Sequence, residues 1–204
     1  MTAAVSPAHD RADARAMLMS GCQLGLLTVL GVAAFALLSR VLTGATEVVV
    51  QAALVAAGGV VFSYFPSIGV RPRTVDGIAW ASMVGLLGAL VFTVVDTAVL
   101  RPLDLYHWTW DAIGGGSGFW YIPVWWMGSA VLASLGALTV ATLARGGREP
   151  SPLATGLLTG GLAILLFGVV AALRLLPFHS AVMALVFAVG QVLHAGFAAV
   201  STRR

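Results

Sequence analysis

Gly77 to Leu100 reads GIAWASMVGLLGALVFTVVDTAVL, and no ionisable side chain appears in it before Asp96. At about 1.5 Å per residue, a helix of this length covers the roughly 30 Å hydrocarbon core of a bilayer. Arg71-Pro72-Arg73 before it and Arg101-Pro102 after it supply charge and helix breakers at both ends. Five further runs repeat the pattern: Met17 to Leu38, Val48 to Val70, Tyr121 to Ala144, Leu153 to Leu176 and Ser180 to Val200. The expected fold is all-α, a polytopic integral membrane protein whose single domain, residues 17–200, is a six-helix bundle. A tail (1–16) and a short end (201–204) flank it. Pro66, late in the second run, is expected to kink that helix or end it early.

Composition agrees with the runs. The 204 residues are 59% hydrophobic and only 9% charged, with a mean hydropathy of +0.98. A soluble domain carries about a quarter charged residues, so a soluble enzyme, a nucleic-acid-binding domain and a disordered chain are excluded. The pI of 9.8 rests on a net charge of only +3, and no basic run exceeds Arg203-Arg204. Nucleic acid is therefore not an expected partner. All eleven basic residues are arginine, so no lysine is available for a Schiff base. Cys22 is the one cysteine and sits in an apolar run, where it is expected as a small buried hydrophobe.

Arginine placement sets the expected orientation. Arg11, Arg15, Arg71, Arg73, Arg145, Arg148, Arg203 and Arg204 fall on one side; Arg40, Arg101 and Arg174 fall on the other. Both termini are thus expected in the cytoplasm, across a bacterial-type cytoplasmic membrane. Short connections make sequential helices expected neighbours. Gly21-x-x-x-Gly25 and Gly156-x-x-x-Gly160 have the spacing for close helix approach. Gly58-Gly59, Gly85 with Gly88, and Gly128 with Ser129 extend the theme.

One connection differs from the rest. Arg101 to Trp120 is long, and five of the six tryptophans lie between Trp108 and Trp126. Long loops in compact domains are often functional, and tryptophan favours the membrane interface. Tyr106, His107, Trp108, Trp110, Asp111, Trp120, Trp125 and Trp126 are the candidate residues for an outer aromatic surface. Its ligand would be a lipid, a pigment or a neighbouring protein; an interfacial belt is the alternative.

Inside the spans, polar groups are few. Asp96 and Arg174 both fall near outer helix ends, at similar depth, and are candidates to pair. Gln191 and His194 share a face of the last helix, with His194 about 20 Å from its outer end; Gln51 is the remaining candidate. No carboxylate sits at a helix centre, which leaves an ion-coupled pump without an ion site. His179 and His194 invite a haem reading, but only His9 and His107 remain as partners, so a di-haem bundle is excluded and one haem or pigment is the most the chain would hold. No cofactor and no metal are expected, because no His, Cys or Asp group has zinc-ligand spacing.

Gly115-Gly116-Ser117-Gly118, at the outer entry to the fourth span, resembles the Gly-x-Ser-Gly segment of rhomboid intramembrane proteases. The resemblance covers four residues and the helix count, and it implies Ser117 as nucleophile with His179 or His194 as base. The second span has no histidine–asparagine pair for an oxyanion hole. Phe119-Trp120-Tyr121 follows the serine where that family has small residues.

Three functional readings follow, in order. The first is a non-catalytic membrane subunit that docks a partner protein, lipid or pigment through its bundle surface and outer loop, in contact with membrane lipid and with other subunits or copies of itself. The second is a facilitator or transporter of a small or lipid-like solute, meeting Gln191, His194 and Gln51. The third is the rhomboid-like hydrolase.

Overall fold

The computed structural model describes residues 13–105, 121–146 and 149–201. The described residues form six long helices, with no strand among them: α1 (Ala14–Val41), α2 (Gly44–Val70), α3 (Val75–Val95), α4 (Tyr121–Arg145), α5 (Pro152–Ala172) and α6 (Ser180–Ser201). All six are long and apolar enough to cross a membrane. The outer loop expected to be rich in tryptophan lies, from Tyr106 to Trp120, outside the described residues.

Local chemistry explains the helix ends. The Asp13 carboxylate accepts from Arg15 N–H at 3.0 Å to start α1, and Thr74 Oγ1 accepts from Gly77 N–H at 3.2 Å to start α3. Ser151 caps α5 through Ala154 N–H at 3.3 Å, with Pro152 in the first turn where no N–H is needed. Gly44, at φ 65°, makes the tight turn from α1 into α2.

Two ends depart from expectation. Pro66 neither ends nor shortens α2, which runs on to Val70. In a membrane-type helix, tight packing by neighbours tolerates the amide that proline removes, and Pro66 is fully buried among them. The fifth helix stops at Ala172 instead of continuing to Leu176, and Arg174 takes a left-handed backbone conformation at φ 52° in the turn that follows.

The packing is organised around α2, which touches all five other helices. Helix α1 lies against α2 and α3; α3 packs on α4; α5 packs on α2 and α6. Consecutive α4 and α5 barely meet, contrary to the expectation for sequential neighbours, because each is packed on α2 instead. The first glycine motif acts as predicted: a Cβ on Gly21 would lie 2.6 Å from Leu87 Cβ, and one on Gly25 would lie 2.6 Å from Val91 Cβ. The α1–α3 crossing is therefore closed by missing side chains. Gly59, Gly85 and Gly88 also face close neighbours, whereas Gly58 and Gly128 face open space.

Tightest of all is Gly136 on α4, where an added Cβ would run into the backbone carbonyl of Ser63 on α2. Outward faces are apolar, with Leu30, Leu158, Leu165 and Phe197 all largely exposed, and Cys22, expected to be buried, is exposed on α1 instead. The arginines divide as expected by helix end: Arg71, Arg73 and Arg145 at one, Arg40, Arg101 and Arg174 at the other.

Candidate functional site

At the Arg40 end the polar groups complete one another. Gln51 Nε2 donates to Ser39 Oγ and to Glu47 Oε1, both at 2.9 Å, and Gln51 Oε1 accepts from Ser180 Oγ at 2.7 Å. This joins α1, α2 and α6. An amide so fully engaged is a clamp between helices, with little left to offer a solute.

Asp96 has no exposed side chain, and its Oδ2 accepts from Arg101 Nε at 3.2 Å. Residues five apart on an α-helix point about 140° away from each other. Here Asp96–Leu100 is a π-helical turn, with Arg101 N–H donating to Asp96 O at 3.0 Å, and the wider turn brings the two side chains together. The expected pairing of Asp96 with Arg174 is therefore corrected. Arg174 sits in the exposed turn after α5, a helix packed on α2 and α6, and makes no ion pair among the described residues.

The candidate aromatic surface divides. Tyr106, His107, Trp108, Trp110, Asp111, Ser117 and Trp120 lie outside the described residues. Trp125 packs inward, with ring centroids 5.9 Å from Phe62 and 5.4 Å from Phe92. Trp126 Nε1 donates to Thr93 Oγ1 at 3.1 Å. Both rings bind α4 to α2 and α3. His179 is also occupied: its Nδ1 accepts from Ala181 N–H at 3.1 Å at the start of α6. Among the described residues no group of three or more His, Cys, Asp or Glu is placed to hold a metal ion.

A second polar group, deeper in the bundle, is not closed. Tyr64 on α2 shares a 2.6 Å hydrogen bond with Thr159 on α5, and Thr159 Oγ1 lies 2.7 Å from His194 Nδ1 on α6. Thr139 and Gln191 flank the same tyrosine hydroxyl. Tyr64, Thr139, Thr159 and Gln191 are all buried. The meeting of α2 with α5 depends on the second glycine motif, since a Cβ on Gly156 would crowd Tyr64 and Val60 at about 3 Å and one on Gly160 would crowd Val60 at 2.9 Å. At the helical rise, Tyr64 stands about 9 Å inside the Arg71 end.

Gln191 is the anomaly. It has no exposure, yet neither its amide nitrogen nor its amide oxygen reaches hydrogen-bond geometry with any described residue. Ser63 and Ser67 on α2 also hold buried hydroxyls without partners among the described residues. Each such group costs about 1–3 kcal/mol. Towards the Arg40 end the column is sealed by an apolar cluster that includes Ala56, Ala163, Phe167, Met183 and Phe187. Towards the Arg71 end, Ser67 and Val140 form part of the wall of a cavity of about 280 Å³. Those two residues are one turn from Tyr64 and one position from Thr139, respectively.

Of these residues, Gln191 and His194 were legible as intramembrane polar groups. Tyr64, Thr139 and Thr159 carry no such mark in the sequence by polarity alone. The available signal was a tyrosine inside an apolar run, and threonines at Thr155 and Thr159 interleaved with the glycine pair. Comparison of the chain with family models, curated proteins and solved structures finds no significant match to any of them.

Proposed function

We propose that the chain is a non-catalytic, multi-pass protein of a bacterial-type cytoplasmic membrane, both termini cytoplasmic, that facilitates passage of a small, uncharged, hydrogen-bonding solute. The observation that carries this reading is Gln191: a fully buried amide near the Tyr64 hydroxyl whose donor and acceptor both fall outside hydrogen-bond geometry with the described residues, in a group with Thr159 and His194. A guest carrying both kinds of group would complete it. The column holds hydroxyls, an amide and an imidazole but no carboxylate or guanidinium, so it suits a neutral guest better than an ion. Entry would be from the Arg71 end, and the Phe167–Met183–Phe187 cluster would be the barrier that moves.

Shrink–swell light scattering of proteoliposomes, with urea, glycerol and erythritol as probes, tests it. At least one probe is expected to equilibrate several-fold faster than in protein-free liposomes. Rates equal to protein-free liposomes for all three reject the reading.

A second reading is favoured by how the chain enters its long loop. Arg40 Nη2 donates to the carbonyls of Asp104 and Leu105, both at 2.8 Å, while Arg101 is held by Asp96. So firm a root suits a loop that presents Trp108, Trp110 and Trp120 to a partner protein, lipid or pigment. That reading expects a stoichiometric companion in mild detergent, lost when these three become alanine. A clean single species before any substitution contradicts it.

A further inference from the structure

We propose that the cavity at the Arg71 end is a binding site for a phosphate group, carried by an anionic lipid or by free phosphate. The inference does not rest on the solute reading, although the cavity lies at the end from which that reading has the solute enter.

The argument starts from the backbone. Helix α2 ends at Arg71 in a left-handed conformation, φ 50°, with its N–H donating to Ser67 O at 3.0 Å. Such a conformation is disfavoured for a residue with a Cβ and persists where the surroundings fix it. It folds Arg71 back into the wall of the 280 Å³ cavity, which Arg73, Glu149 and Ser151 also line. Arg73 and Glu149 form an ion pair with each other, so that carboxylate is matched. Arg71 is left as the second cation, its guanidinium making no hydrogen bond or ion pair to a described residue. One carboxylate against two guanidinium groups leaves the cavity with net positive charge.

Two further features point to an anion with several acceptor oxygens. The first is the start of α5 at Ser151, where helix N-terminal amides and the helix dipole favour negative charge. The second is independent of it. Ser67 forms part of the cavity wall, is completely buried, and has a hydroxyl with no partner among the described residues. A guanidinium fork, a spare hydroxyl and a helix N-terminus together match a phosphate, whose oxygens accept from several directions. The position also suits a lipid source, because basic pockets between helices at the cytoplasmic face are where anionic headgroups are met.

The test is thermal stabilisation of the full-length protein, delipidated in neutral detergent. Inorganic phosphate, phosphatidylglycerol and phosphatidylcholine are titrated separately. Phosphatidylglycerol or inorganic phosphate is expected to raise the melting temperature saturably, and phosphatidylcholine is not. A response to phosphatidylglycerol alone assigns the lipid; a response to inorganic phosphate as well assigns the free anion. Arg71→Gln is expected to weaken the response about tenfold and Ser67→Ala severalfold. Arg145→Gln, at the same end but outside the cavity wall, is expected to leave it unchanged. The proposal is overturned if neither phosphate compound stabilises the protein, if Arg71→Gln and Ser67→Ala respond like the parent, or if Arg145→Gln loses as much as Arg71→Gln. Unliganded melting of each variant separates a folding defect from a binding defect.

Discussion

Gly136→Ala is expected to destabilise the bundle by about 3 kcal/mol or more, the range of severe overpacking. The added methyl group would meet the main-chain carbonyl of Ser63, not the yielding tip of a side chain. Helices α2 and α4 would have to separate, and α2 is the helix on which all the others pack. Separation would also pull Trp125 away from Phe62. The natural control is Gly128→Ala on the same helix, where a Cβ meets nothing within 4 Å. There the higher helix propensity of alanine makes the expected change neutral or slightly favourable. Thermal unfolding of the two variants in the same detergent checks the contrast. Equal melting temperatures would mean that α2 and α4 do not approach through Gly136.

Gln191→Leu is expected to act in the opposite direction and stabilise the protein by about 1 kcal/mol. The side chains are close in size, and leucine removes two buried polar atoms that have no partners among the described residues. The Tyr64 hydroxyl, which lies beside Gln191, keeps its bond to Thr159, and Thr139 keeps the Leu135 carbonyl at 2.8 Å. The gain is held to the lower end of the usual range because an unfolded helix left in the membrane also buries its glutamine. A fall in stability would identify Gln191 as a structural hydrogen-bonding residue and remove the main support for a guest in the column. A stabilising polar-to-apolar substitution is the expected mark of a site where function is held at the expense of stability.

Much of the fold was legible because a membrane-type helix declares itself locally. Each apolar run is closed by arginine, proline or glycine, and Asp13, Thr74 and Ser151 stand where N-caps are needed. What was not legible depended on neighbours. Pro66 reads in isolation as a kink or an early helix end, and buried packing carries α2 on to Val70. Asp96 and Arg101 would diverge on a regular helix, and only the π-helical turn, which the run of residues does not announce, brings them together.

The site shows the same division. Gln191 and His194 stood out by polarity against an apolar background. Tyr64 and Thr159 gained their significance only when Gly156 and Gly160 let α5 approach α2 closely enough for a hydrogen bond. Trp125 and Trp126 belonged by spacing to the aromatic cluster of the loop, yet one turn of helix was enough to direct them to Phe62, Phe92 and Thr93 inside the bundle.

The most direct measurement is the permeability of proteoliposomes containing Gln191→Leu, set beside the parent at equal protein content and with folding verified by its melting temperature. The account predicts a protein at least as stable as the parent whose accelerated solute flux has fallen to the level of protein-free liposomes. Undiminished flux through a folded Gln191→Leu protein would contradict it.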